Sequence, residues 1–380
     1  MVFHSVGWMI SGLALIGIAY ALLVAWLVGS FKGMGESSPA EAPVTILKPL
    51  HFDEPGLKRA LASFLDQDYR APVQILFGVQ DAGDPAIAII RKLKDEFPQA
   101  DIGLVVDSEL HGSNRKVSNL VNMAPFAKYD LLVISDSDIS VRRDWLKRVV
   151  GALMGDGVGA VSCLYTGKAE TTGWSVLSAM GSTYEFLPNV IAGLSSRLAS
   201  PCFGSTIALR RETLDSIGGF RAFANHLADD YEIGRAVRGR GLKVAIPSFA
   251  VDHSCGERRA IDLYHHELRW NRTTHIIDPV GHTGSVITHA LPLAGLAVLV
   301  NGPTEFSLAL IAGALLCRLV LKWTIERKFE TYAGPALALP LRDVFSFFVF
   351  LASFFGEKVR WRNDRFAVSP TGALSHVRSS

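Results

Sequence analysis

The 380-residue sequence predicts an α/β domain, a mostly parallel sheet with helices on both faces, set between membrane helices at its N- and C-terminal ends. Three observations carry that reading. Between about Pro43 and Leu263, short β-branched runs alternate with amphipathic, charged stretches, the pattern of strands and covering helices. From Val2 to Phe31 there is no Asp, Glu, Lys or Arg, and the run exceeds the ~20 apolar residues that cross a bilayer. After Asp278 the chain turns apolar again, over Val286 to Val300 and Phe306 to Val320, with NGPTE as a polar break between them.

Residues 1–31 read as an uncleaved anchor. A signal peptide would carry a basic start and a shorter apolar core, and the only A-x-A-like site, Ala40-Glu41-Ala42, is followed by Pro43. Lys32, Lys48, Lys58 and Arg59 lie on the downstream side, so the positive-inside bias puts that side, with the domain at 43–263, in the cytoplasm. Within the domain, 44–50 reads as a buried strand, 55–69 as a helix, 73–81 as a strand, 84–98 as a helix, 102–107 as a strand and 116–127 as a helix. DLLVISDSD (130–138) is the strongest buried strand. Ligands of such sheets sit beyond the carboxyl ends of the strands. Asp81 and the pair Asp136 and Asp138 fall at such ends.

Beyond the domain, 264–283 reads as an interfacial segment, 284–323 as two antiparallel membrane helices, and 336–356 as a third apolar element, spanning or re-entrant. Lys322, Arg327 and Lys328 before it and Lys358, Arg360 and Arg362 after it keep both its ends in the cytoplasm, with 357–380 as a cytosolic tail. A charged fraction of 19% and a net charge of +2 give no global attraction to nucleic acid, which is excluded as a partner. Cys163, Cys202, Cys255 and Cys317 are scattered without ligand spacing and read as reduced packing thiols.

Three short constellations carry chemistry. In Ser135-Asp136-Ser137-Asp138, two carboxylates one residue apart at a strand end can share a hard cation, Mg²⁺ or Mn²⁺, bound to a diphosphate. The same letters also suit an Asp/Ser turn capping the next element. Asp229-Asp230-Tyr231-Glu232 opens a helical stretch, where acids are stabilised by the dipole; a carboxylate there also suits a general base, and Asp230 is the candidate. His265-His266-Glu267-Leu268-Arg269-Trp270 offers a guanidinium fork for phosphate oxygens and an amphipathic ring for a sugar face or the bilayer interface. The adjacent histidines are poor metal ligands, and His111, His253, His275, His282 and His289 form no cage and read as solvated or core residues.

In this order the residues resemble the ceramide glucosyltransferase family, transferases of nucleotide-diphospho-sugars with a GT-A fold and the pattern D, D-x-D, D, (Q/R)-x-x-R-W. The resemblance runs from ILKPL through GVQDAGDPAI, NRKVSNL, YDLLVISDSDI, FGSTIALRRETLDSIGGF and ADDYEIGRAVRGRG to ELRW and VRWRNDRF. It implies that Asp81 lies near the uridine, Asp136 and Asp138 at ribose and metal, Lys116 on the donor, Asp230 as catalytic base, and Arg269 and Trp270 as the final pair. Where the family has Gln or Arg, this chain has His266, which still offers a hydrogen bond, or charge when protonated. The full D-x-D and compact length look like the bacterial branch that glycosylates hopanoids from UDP-N-acetylglucosamine. The resemblance thus implies an inverting sugar transfer from a UDP-sugar to a lipid hydroxyl, by a multi-pass protein of the inner membrane whose catalytic domain faces the cytoplasm. The rivals are a ceramide glucosyltransferase using UDP-glucose, a polysaccharide synthase, for which the membrane portion is small, and a non-enzymatic cation-binding scaffold.

Overall fold

The structure, a computed structural model, describes residues 2–33, 40–52, 54–355, 358–361, 364–368 and 374–376. Helix α1 (Val2–Ser30) leads into β1 (Val44–Pro49), α2 (Leu57–Leu65), β2 (Val73–Val79), α3 (Ala86–Glu96), β3 (Asp101–Val106), α4 (Arg115–Met123), β4 (Leu131–Ile134) and β5 (Ile139–Ser140). There follow α5 (Trp145–Leu153), β6 (Val158–Ser162), β7 (Leu164–Ala169), α6 (Trp174–Gly181), a π-helical turn at Ser182–Phe186, and α7 (Leu187–Ser195). The domain closes with β8 (Ile207–Arg210), α8 (Arg211–Ser216), α9 (Asp229–Gly239), β9 (Lys243–Ala245) and β10 (Ala250–Cys255). Beyond it come α10 (Ala260–Ile277), α11 (Pro279–Gly284), α12 (Ala290–Asn301), α13 (Glu305–Phe329), α14 (Leu339–Ser353) and an antiparallel trio β11 (Lys358–Trp361), β12 (Asp364–Val368) and β13 (Leu374–His376).

The seven-stranded sheet has the order β3-β2-β1-β4-β8-β6-β9. β3, β2, β1 and β4 are parallel, whereas β8 runs antiparallel to both β4 and β6. The alternating apolar strands feed two cores, as a period of two requires. Ile46 and Val133 pack with Leu61, Phe64, Ile90 and Trp145 on one face; Leu47, Leu132 and Ile134 pack with Leu120 and Val237 on the other. The chain moves outward from β1 through β2 to β3 and then returns to lay β4 on the opposite side of β1. That reversal opens a crevice beyond the carboxyl ends of β1 and β4, where open α/β sheets take their ligands. A second small sheet, β5-β10-β7, lies beside it and pairs His253 with Ile139.

The membrane portion differs in detail from the sequence reading. Among the described residues, three helical segments, Ser5–Ser30, Glu305–Phe329 and Ala336–Ser353, are long and apolar enough to cross a membrane. The stretch read as the first of two spans within 284–323 is a bent pair, Pro279–Thr288 and Ala290–Asn301, meeting at 67°, the geometry of a broken span or a re-entrant loop. Pro292 explains the break: it lacks the N–H that would close a helical bond to Thr288, and its ring crowds that carbonyl. α13 also runs past Val320, so Lys322, Arg327 and Lys328 lie inside it; Lys322 pairs with Glu326 one turn on and faces the Tyr184 ring. Lys48, counted above among positive-inside charges, is fully buried within the sheet, which leaves Lys32, Lys58 and Arg59 for that signal. The segment 357–380 lies partly outside the described residues.

α1, α12 and α13 share a core of small and branched residues, including Ala14, Ala290, Ala294, Leu310 and Ala314, while Trp8, Met9, Leu299 and Trp323 face outward. Small residues let such helices approach closely. The bundle is tied to the domain by buried charge. Arg342 of α14 reaches Glu267 of α10 (2.5 and 3.0 Å) and Glu185 of the π-helical turn (2.8 Å), and Arg318 of α13 binds Asp343 (2.7 and 2.9 Å) and the Tyr184 carbonyl (2.8 Å). Through Glu267, the helix that carries Arg269 and Trp270 is thus fixed from the membrane side.

Candidate active site

The loop leaving β4 stands at the mouth of the crevice, and its residues are held by groups far apart in sequence. The Asp136 N–H donates to the Gly204 carbonyl (3.1 Å), and the Gly204 N–H donates to Asp230 Oδ2 (2.9 Å). Gly204 therefore joins the D-x-D loop to the start of α9. Lys116, at the start of α4 behind an Asn114 cap, places its ammonium 2.6 Å from Asp136 Oδ1 and 3.4 Å from Asp229 Oδ2. These acids hold Lys116 protonated well above its usual range despite its burial.

Asp229 and Asp230 have separate jobs. Asp229 is 5% exposed and accepts from Asn114 Nδ2 (3.1 Å), so it belongs to the frame. Asp230 is half-buried, and its two oxygens accept from Gly204 N and Tyr231 N (2.9 and 2.8 Å). Burial, followed by the neighbouring Asp229 charge, pushes its carboxyl up to about 6, the range in which a carboxylate works as a base near neutral pH. Glu232 turns instead to Arg235 on the helix surface.

Asp138 ends the loop. Its Oδ2 lies 3.2 Å from His253 Nε2, while its Oδ1 is buried without a hydrogen-bond partner. Burial works against the Asp138 charge, but His253 and then Lys48 outweigh it and hold the carboxyl at about 2. An ionised carboxylate with an orphaned buried oxygen, two residues from a second carboxylate, is a hard-oxygen donor pair that fits Mg²⁺ or Mn²⁺, while His253 is engaged on Asp138 itself. Among the described residues no group of three or more His, Cys, Asp or Glu is arranged around one point. Beneath the loop, burial lowers the Lys48 ammonium to about 7.

α10 brings the last motif to the same place. The His266 ring meets the Trp270 ring edge-on at 4.3 Å between centroids, its Nδ1 lies 2.5 Å from Glu257 Oε1, and burial lowers its affinity for a proton. Trp270 also approaches Phe186 (6.4 Å) and His253 (6.1 Å); Phe186 stacks on Tyr165 (4.8 Å) and meets Phe203 edge-on (5.6 Å). Arg269 precedes Trp270 on α10, half-buried, and its charge bears on His266. Asp81 is the outlier: it is exposed at the end of β2 and accepts from Gly83 N in its own turn (2.8 Å), on the same carboxyl edge but one strand beyond β1.

Three residues were not singled out by motif. His253, read from sequence as a solvated or core residue, is buried but faces Asp138 because β10 pairs with β5. Lys48 enters the sequence reading only as one of the positive-inside charges. Gly204 stands where a Cβ would lie 2.5 Å from Asp136 Oδ2 and 2.8 Å from Lys116 Nζ. Gly204→Ala is therefore expected to part that ion pair and cut turnover roughly 100-fold, as displacements near 1 Å can, with the fold retained by circular dichroism; unchanged turnover would show that the close approach is idle.

The glycosyl transferase family 21 pattern matches residues 9–374. Ceramide glucosyltransferase 1 of Caenorhabditis elegans is 24% identical over 356 residues, covering 91% of this chain and 76% of that protein. Over 124 residues, 30% of this chain and 23% of the relative, identity with the ceramide glucosyltransferase of Candida albicans is 36%. The mannosyltransferase PcManGT from Pyrobaculum calidifontis, solved with GDP-Man and Mn²⁺, superposes with a TM-score of 0.54 at 18% identity, covering 91% of this chain and 99% of that one; the likeness shows a shared fold. With the family pattern spanning nearly the whole chain and the site lying at the switch point of a GT-A-type sheet, the protein belongs to glycosyl transferase family 21 and is a glycosyltransferase.

Proposed function

We propose that this glycosyltransferase moves one sugar from a UDP-sugar donor to the hydroxyl of a membrane lipid, with inversion at the anomeric carbon. The observation that carries the reading is the convergence of Asp136, Lys116 and Asp230 on Gly204, at the carboxyl ends of β1 and β4, with Asp138 two residues further along the same loop and Trp270 alongside on a helix clamped to apolar helices. The ceramide glucosyltransferase relatives support a lipid acceptor. From the resemblance we favour UDP-N-acetylglucosamine as donor and a hopanoid polyol such as bacteriohopanetetrol as acceptor. The helices long enough to cross a bilayer support a multi-pass protein, with the domain placed on the cytoplasmic face of the inner membrane.

In this reading Asp81 reaches the uridine, Asp136 the ribose, and Asp138 with Asp136 would hold Mg²⁺ or Mn²⁺. When bound, the cation supplies positive charge against the departing diphosphate. His253 orients Asp138 by taking its Oδ2, which leaves Oδ1 for the cation. Asp230 accepts the proton of the lipid hydroxyl as that oxygen bonds to the anomeric carbon; the bond from this carbon to the UDP oxygen breaks, and its electron pair leaves with UDP. Lys116, Arg269 and His266 supply charge and hydrogen bonds along the donor. Trp270 and the stacked rings of Tyr165 and Phe186 offer an apolar floor to the sugar or acceptor.

The base must be ionised to work. With its carboxyl at about 6, kcat/KM for the acceptor is expected to rise with pH and level off above that value, since this parameter reports the free enzyme. A profile flat from pH 5 to 8 would argue against Asp230 as the base. The reading as a whole is tested by UDP release from the purified protein given several UDP-sugars, with and without a lipid extract. Release that needs both lipid and a divalent cation, and stops with EDTA, is expected; release independent of lipid would contradict the acceptor assignment.

A further inference from the structure

We propose that Lys48 is a positioning residue for the metal-binding loop, holding the Ser135 hydroxyl and the Asp136 carbonyl from beneath so that Asp136 and Asp138 meet the cation and diphosphate in register. The inference rests on the proposed reading of those two carboxylates.

Lys48 sits near the end of β1, next to Leu47, which pairs with Ile134 at the end of β4. Its side chain is 0% exposed. A methionine or leucine would fill this place without stripping water from a charge, and a buried ammonium is retained only where its donors are used. Here they are used on the loop: Nζ donates to Ser135 Oγ (3.3 Å) and to the Asp136 carbonyl, with the Phe64 ring on another side (3.9 Å to its centroid).

The other loop residues are tied as well. Ser137 Oγ donates to Glu54 (2.7 Å), from the segment that follows Lys48, and the Asp138 carbonyl accepts from Ser254 N (2.8 Å). Lys48 thus grips the Ser135 hydroxyl and the Asp136 carbonyl and leaves the carboxylates free, whereas Lys116 grips the Asp136 carboxylate itself. Groups that orient ligands without touching the metal commonly govern its affinity.

The charge of Lys48 separates positioning from plain electrostatics. A buried cation near a divalent ion repels it, so removing Lys48 would tighten metal binding if charge were its whole effect. Positioning predicts the opposite. The test is Mn²⁺ binding in the presence of UDP, followed by electron paramagnetic resonance on the detergent-solubilised full chain. Lys48→Met is expected to weaken Mn²⁺ on the order of 10-fold or more, and Lys48→Gln, which keeps an N–H for the Asp136 carbonyl, to recover part of the loss. Binding by Lys48→Met as tight as native, or tighter, overturns the proposal. Should Lys48→Met not fold, Ser135→Ala takes its place: Mn²⁺ binding weakened a few-fold, the scale of one hydrogen bond, supports the proposal, and unchanged binding overturns it. A native chain that takes up no Mn²⁺ with UDP instead removes the metal reading on which the inference stands.

Discussion

Asp230→Asn is expected to stop sugar transfer while leaving UDP and Mn²⁺ bound. The amide is nearly isosteric and can still accept from Gly204 N through its oxygen, so the link between α9 and the D-x-D loop survives. What disappears is the negative charge and the second carboxylate oxygen, which accepts from Tyr231 N and, in the proposed mechanism, belongs to the group that receives the acceptor proton. A positioned general base is worth roughly 10²–10⁴-fold, so turnover should fall by that factor or below detection. UDP affinity by calorimetry should change little. Near-native transfer by the variant would place the base elsewhere, and loss of UDP binding would make Asp230 a donor ligand.

Asp138→Asn should act on the other half of the reaction. Asp138 is the carboxylate whose Oδ1 is buried and unpartnered while Oδ2 is engaged by His253. Removing its charge leaves the cation a neutral ligand and leaves His253 without its anion. Mn²⁺ affinity in the presence of UDP should drop steeply, and turnover should fall by about 10²–10³, the scale of losing one strong contribution to leaving-group stabilisation. The two variants are thus expected to separate: Asp230→Asn binds and does not turn over, Asp138→Asn binds poorly. If both lost only turnover, Asp138 would not be a metal ligand.

Much of this was legible in the sequence because it is written locally. The parallel strands β1 to β4 announce themselves as short apolar runs, and the helices between them as 3.6-residue patterns, with boundaries within a few residues of those seen. Asp136 and Asp138 stand out because two acids follow LLVI, where a buried strand meets solvent. What the sequence hides is produced by topology. β8, set antiparallel between β4 and β6, carries no local mark of its direction, yet the chain leading into it delivers Gly204 to Asp136 and Asp230. His253 meets Asp138 only because β10 pairs with β5. Lys48 in ILKPL reads as one more basic residue near a membrane helix until the sheet closes over it. The bend before α12 was written in Pro292, but a hydropathy window passes over one proline in an apolar run.

The electrostatic pattern also explains why the acids do not simply repel. Lys116, Lys48 and His253 each face a different part of the loop: the Asp136 carboxylate, the main chain, and the Asp138 carboxylate. One oxygen of Asp138 is left without a hydrogen-bond partner, and Asp230, which makes no ion pair among the described residues, has a raised carboxyl; the proposed mechanism gives the first to the cation and the second to the base.

The central claim, transfer of a single sugar to a membrane lipid, is tested most directly by mass spectrometry of lipids recovered after the purified protein has been given UDP-N-acetylglucosamine, UDP-glucose or UDP-galactose with a mixed lipid extract containing hopanoid polyols and ceramide. The account predicts an extractable lipid heavier by one sugar residue, formed only with a divalent cation and absent with Asp230→Asn. A sugar polymer, or donor consumption with no glycosylated lipid, would contradict it.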